Sequence, residues 1–484
     1  MLTSIKSKLD DAFNKVTKSS SATINGDVKQ PKFQYSRPEF LNLNPEQIQV
    51  SRDFSTRPIV TVQEMTRIPW NAGYAESING GKSHFNEDQA AAGHFYLKTT
   101  LPTVKKSQSD DDLSKPKTHQ LSEMAGGGLK DQLSVTYFAL FDGHAGPDAA
   151  LVASKLLHKH IEDKLQNMTE ALHAKFQLDA MKLEKKNSLR HSENHLPPSR
   201  IEERFGNLDL IATDQLVVGA LESAFQAMDE QLSRERSTYS IRGGCAVIVA
   251  VFVLGKLFVA NAGDSRAVIC HKGRPLAMSR DMTPYFERER ILSLGEAKPD
   301  LLHNEFTCLE YARRIGKEDI GKSILYRGPH MSGWSSKTAD KEDLKVPLIF
   351  RSGNKSRLMQ TIGVSRGFGD FDLRVHDSQI YLKPFLSPIP EVQVFDLKND
   401  LGEDDVLIMA TDGLWDVLRE DDVVKSVSNI LDLYKSSKVR RYVSVAQELV
   451  SCARGQFTGS GWKKKSGDIA SWDDISCFVI PLNL

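Results

Sequence analysis

The stretch Val135-Thr-Tyr-Phe-Ala-Leu-Phe-Asp-Gly-His-Ala-Gly146 decides the fold. An apolar, β-rich run ends abruptly on Asp142, and Gly143, His144 and Gly146 follow at once. That pattern reads as a buried strand delivering a carboxylate and an imidazole to a tight turn. Ala153, Leu157, Ile161 and Leu165 then recur every four residues, so a helix from about 149 to 165 packs one apolar face back on the sheet. Asp-Gly after a strand is also an ordinary turn signal. Recurrence argues for more: an aspartate closes an apolar run again at Asp264, at Asp412 and, before the final strand, at Asp473.

Outward from this stretch, Leu221, Phe225, Met228 and Leu232 mark a second apolar helix face. Residues 243–253 and 256–264, joined by Leu254-Gly255, read as a β-hairpin, and 265–270 is expected to continue the meander. The run 405–412 repeats the opening device, with helices through Val423, Val424 and Val427 and through Val445, Leu449 and Val450 after it. Upstream, Glu87 and Asp88 fall in a segment read as a strand entered from the Gly80-Gly81 turn. Polar, aperiodic stretches near 98–131 and 177–207 read as loop insertions, the second carrying Ser188 beside basic residues. Residues 278–348 read as one helix and then an irregular excursion. Many strands on short turns predict an α+β fold, a sandwich of two mostly antiparallel β-sheets flanked by helices.

The 63 basic and 63 acidic residues balance, which argues against a nucleic-acid partner and makes any charged site local. Five widely spaced cysteines without a Cys-x-x-Cys pair point to reduced thiols and not to zinc. No apolar stretch is long enough to span a bilayer and no secretory core opens the chain, so a soluble cytoplasmic or nuclear protein is expected. Leu2, Ile5, Leu9, Phe13 and Val16 share a helical spacing beside Lys6, Lys8, Lys15 and Lys18. Residues 1–18 read either as an amphipathic helix in peripheral contact with an anionic membrane or as a tail of the domain, with a linker to about residue 31. Residues 32–484 then form the main domain.

Carboxylates gathered at strand ends repel one another, and leaving them ionised in a partly dry site is costly without cations. Oxygen-only ligands favour magnesium or manganese. Two such ions bridged by one carboxylate would lie roughly 3.5 to 4 Å apart and activate water for attack on phosphorus. His144, two residues past Asp142, is then placed to protonate a leaving oxygen.

Five motifs in order, Phe141-Asp-Gly-His-Ala-Gly146, Asn261-Ala-Gly-Asp-Ser-Arg266, Val364-Ser-Arg-Gly-Phe-Gly-Asp370, Thr411-Asp-Gly-Leu-Trp-Asp416 and Asp473-Asp-Ile-Ser476, resemble the metal-dependent serine/threonine protein phosphatases of the type 2C family. Tyr74-Ala-Glu-Ser-Ile-Asn79 with Asn86-Glu-Asp88 looks closest to its H/J/M branch. The resemblance implies phosphorylated protein substrates and two magnesium or manganese ions in a cleft at one edge of the sandwich. Asp142 would bridge them, the Gly143 carbonyl would bind one, and Asp412 and Asp473 the other. Glu87 and Asp88 would act through metal-bound waters, Asp264 with Asp412 would make a weaker third position, and His144 would be the general acid. The excursion near 286–348 would be an enlarged flap that selects substrates.

One position departs from the family pattern. Where an arginine five residues before the aspartate of Glu-Asp usually grips phosphate, this chain has Ser83, leaving Lys82 as the candidate cation. The competing expectation is a catalytically inert relative that binds phosphoproteins or serves as a scaffold, which requires loss of the metal acids.

Overall fold

The structure is a computed structural model that describes residues 30–98, 132–187 and 208–483, apart from 354, 377, 399, 436–439 and 460. The readings of residues 1–18, of Ser188 and of nearly all of the 98–131 insertion lie outside the described residues.

Strands β1 (Ile59–Thr61), β2 (Gly73–Ser77), β3 (Gln89–Lys98) and β4 (Gln132–His144) lead into helix α1 (Asp148–Asn187). Helix α2 (Thr213–Tyr239) precedes β5 (Gly244–Val253), β6 (Lys256–Ala262), β7 (Arg266–His271) and β8 (Arg274–Ala277). Beyond helix α3 (Arg288–Ala297) the main sheets resume with β9 (Glu391–Asp396) and β10 (Val406–Ala410). Helices α4 (Glu420–Leu433) and α5 (Arg441–Arg454) then precede the last strand, β11 (Ile475–Pro481). One sheet has the order β9-β6-β5-β4-β3, with the short strand Phe368–Gly369 also on β5, and the other has β1-β2-β11-β10-β7-β8. Every pairing within these two sheets is antiparallel, which fulfils the expectation of an α+β sandwich.

The charge-free run in β4 follows from burial on both faces. Phe138 and Leu140 point between the sheets, against Phe252, Met409 and Phe478, whereas Tyr137, Ala139 and Phe141 face α1 and α2. The second sheet repeats the scheme, with Ile408, Cys477 and Val479 packed on α4 and α5. The result is four layers, helix, sheet, sheet and helix. Leu254 and Gly255 both have positive φ, 58° and 71°, the turn that matches the twist of the β5–β6 hairpin.

Four readings need correction. Residues 265–270 do not continue the meander: the chain leaves the first sheet after Ala262 and enters the second at Arg266, so Asp264 sits at the crossing. Residues 79–88 are irregular and β3 starts only at Gln89, because side chains take the backbone bonds a ladder would use. Gly81 and Ser83 N–H donate to Asn79 Oδ1, and Asp88 N–H donates to Asn86 Oδ1. The stretch read as an insertion from 177 begins as helix, since α1 runs to Asn187 through a run of strong helix formers.

The excursion, finally, is ordered. It holds α3 and a three-stranded sheet of Glu310–Tyr311, Ser323–Arg327 and Ser335–Thr338, and the hairpin Ile349–Ser352 with Lys355–Leu358 follows directly after it. Ile291, Leu292, Phe306, Leu348, Leu358 and Phe385 give it its own core. Strands this short show too few alternations for a period to be read. Among the described residues no helix is long and apolar enough to cross a membrane.

Candidate metal centre

Three of the acids singled out in the sequence meet where the two sheets come together. Asp142 ends β4, Asp264 follows β6 and Asp412 follows β10, and one carboxylate oxygen from each lies within 4.8 Å of the others. Asp412 N–H also donates to Asp142 Oδ2 at 3.3 Å. Gly143 and His144 stay in the ladder, opposite Cys245 and Gly244, which fixes the imidazole to the strand end.

Asp88 comes in beside this group. Thr411 Oγ1 donates to its Oδ2 at 2.9 Å, but Oδ1 is buried with no protein partner. Glu87 accepts from Ser83 Oγ at 2.9 Å, so the residue in the usual arginine position is tied to an acid of the site. Asp473 stands at the rim and pairs with Lys82 Nζ at 2.6 Å, so Lys82 is placed on a carboxylate and not free in the cleft.

Burial dominates the electrostatics, and the crowding of like charges adds to it. Burial, then Asp412, Asp88, Asp264 and Asp473 together, push the Asp142 carboxyl well above its ordinary range. Asp412 is pushed up by burial, Asp264 and Asp473. Burial and Asp474 do the same to Asp88, against hydrogen bonds from Ser476 and Thr411. Burial and Asp281 bring Asp264 to about 6. Burial acts to lower the Lys82 pKa, but Asp473, then Asp412 and Asp142, overcome it and hold the ammonium charged. A set of oxygen donors that cannot all ionise alone, with one buried oxygen unpartnered, fits hard divalent cations such as magnesium or manganese. Asp142, Asp264 and Asp412 offer oxygens close enough to share a cation, and Asp88, Glu87 and Asp473 lie around them.

Two residues that matter here were given no role from the sequence. Asp370 places both carboxylate oxygens 2.9 Å from His144 Nε2. A Cβ at Gly244 would sit 2.3 Å from Asp370 Oδ2, so only glycine admits this carboxylate. The sequence carried a signal, since Asp370 also closes a glycine-rich motif; in the structure its backbone is left-handed at φ 58°. Asp474 is the other; it accepts from the backbone N–H of Asn79 and of Glu87, and so ties the Glu87-Asp88 segment to the start of β11. Next to the repeated aspartate Asp473, its structural part was hidden.

The family described as Protein phosphatase 2C matches residues 101–342 and 347–458. A protein named Protein phosphatase 1H from Xenopus tropicalis is 44% identical over 505 residues, covering 100% of this chain and 99% of its own. Protein phosphatase 1J from Rattus norvegicus is 41% identical over 452 residues, covering 93% and 86%. A solved serine-threonine phosphatase 2C from Toxoplasma gondii aligns at TM-score 0.40 and 17% identity, covering 88% of this chain and 99% of that one. The chain belongs to the protein phosphatase 2C family, on the branch that holds the proteins named 1H and 1J.

Proposed function

We propose that this protein removes phosphate from phosphoserine and phosphothreonine in proteins, using two magnesium or manganese ions held by Asp142, Gly143, Asp412 and Asp473. The observation that carries the reading is the meeting of Asp142, Asp264 and Asp412 within 4.8 Å beside the unpartnered Asp88 Oδ1. Such ions, when bound, supply positive charge to the phosphoryl oxygens and lower the pKa of a water toward neutrality.

The chain's own groups do the rest. Asp142 reaches from one sheet and Asp412 from the other, so the donor set is held by two rigid strands. His144 donates Nε2–H to Asp370, which leaves Nδ1 to give a proton to the departing serine or threonine oxygen as the P–O bond breaks. Burial acts to lower the His144 pKa, but Asp370, with Asp264 and Glu87 behind it, raises it overall, which favours the protonated imidazole that a general acid needs. Lys82, whose ammonium rests on Asp473, is the candidate cation for the substrate phosphate, as a point charge without the fork of an arginine. Asp264, inside the same group of acids, supports a third cation position with Asp412.

A phosphothreonine peptide assay with manganese, with and without chelator, tests this on wild type and Asp142→Asn. Turnover that survives both treatments overturns the two-metal reading, and a wild type inert with metal would favour the scaffold reading instead.

A further inference from the structure

Two large aromatic side chains stand partly in water at the rim of the metal centre, on the side that carries Lys82. Trp472 is 49% exposed and Phe54 39% exposed. Trp472 directly precedes Asp473, whose carboxylate holds Lys82, and its carbonyl accepts from Gly80 N–H at 3.0 Å. The indole lies across Gly80 so closely that a Cβ there would meet Cε3 at 2.7 Å. Phe54 lies on the next residue, its Cδ2 3.6 Å from where a Cβ of Gly81 would be, and its ring centre is 5.9 Å from that of His84. At its other edge Trp472 Cζ2 comes within 3.5 Å of a Cβ position at Gly461. Both rings therefore flank the short turn that delivers Lys82, and Trp472 is seated between two glycines.

An aromatic side chain already fixed in place loses little entropy when something packs on it. Fixed aromatic side chains of this kind dominate binding energy where a partner excludes water from them. Gly80 and Gly81, on which the two rings lie, immediately precede Lys82, whose ammonium rests on Asp473 at 2.6 Å, so both rings border the cation proposed for the substrate phosphate. We infer that Trp472 and Phe54 form a subsite for an apolar side chain of the substrate polypeptide, adjoining its phosphorylated residue. The inference rests on the phosphatase reading above and adds a sequence preference to it.

The test uses the full chain with manganese and two phosphothreonine peptides that differ only at the two residues on each side of the phosphothreonine, leucine in one and glycine in the other. Wild type is expected to turn over the leucine peptide with a kcat/KM about tenfold higher. Trp472→Ala and Phe54→Ala are each expected to cut that ratio to about 2, and Trp472→Phe to keep most of it. Phe54 is far in sequence from the metal acids, so its variant stays informative if Trp472→Ala disturbs Asp473. A wild-type ratio near 1, or a ratio unchanged in both alanine variants, overturns the subsite. Absence of any chelator-sensitive turnover of either peptide overturns the phosphatase reading, and the subsite with it.

Discussion

His144 Nε2 lies 2.9 Å from both carboxylate oxygens of Asp370, a residue 226 positions later in the chain. The bond fixes the ring and supports its second proton. Asp370→Asn should therefore lower kcat on a phosphothreonine peptide about 100-fold. The loss should be much smaller on p-nitrophenyl phosphate, whose departing group needs no proton. With the carboxylate charge gone the His144 pKa falls, so the alkaline limb of the pH-rate profile should move to lower pH. Equal losses on both substrates would contradict a part in proton donation.

The crowded acids make a prediction for the chelated protein. Asp264 is held at about 6 and Asp474 at about 7, both chiefly by burial, against about 3.9 in an unfolded chain. Between those limits the folded state binds more protons than the unfolded one. Stability is thus fully present below about 3.9 and is lost as pH rises from there through the folded values. In EDTA the Tm should drop by about 5 °C from pH 5 to pH 7.5. Saturating manganese, which favours the ionised acids, should abolish or reverse that slope, and identical slopes by differential scanning fluorimetry would count against a cation site.

Lys355, on the hairpin that follows the excursion, reaches Asp416 at 3.0 Å, four residues past Asp412. Its side chain is 76% exposed and that of Asp416 54%, so the pair contributes little to stability, under about 1 kcal/mol. It links the hairpin to the metal cleft all the same. Lys355→Ala should leave the Tm within about 1 °C and raise KM for a protein substrate. An unchanged KM would show that the hairpin does not bear on substrate.

Phe138 is fully buried between the sheets, its ring 5.5 Å from that of Phe478 and 5.8 Å from that of Trp70. Phe138→Ala should cost about 3–5 kcal/mol in urea unfolding. A cost under about 1 kcal/mol would mean the interior collapses around the gap.

Strands buried on both faces were legible because their sequences carry no polar interruption, as in β4, β5 and β10. The acids were legible because each ends such a run. What stayed hidden was set by contacts between distant segments. Nothing local marks that β7 pairs with β10 in the second sheet, or that Asp370 folds back under the imidazole. The Glu87-Asp88 segment misled because its turns are built from Asn79, Asn86 and Asp474 side chains, which imitate strand bonding without alternation. In the excursion, ion pairs such as Glu310 with Arg288 and Arg327 replace an apolar stripe, so charge masked order.

The acids of the cleft hang from strands in opposing layers, Asp142 and Asp264 on one and Asp412 on the other. The distance across which they can share an ion is therefore inherited from the thickness of the aromatic filling between those layers. Swapping one interior side chain for another of different volume, far from solvent, would retune cation affinity without altering a single ligand. In this molecule the interior works as a spacer between the carboxylates of the two layers.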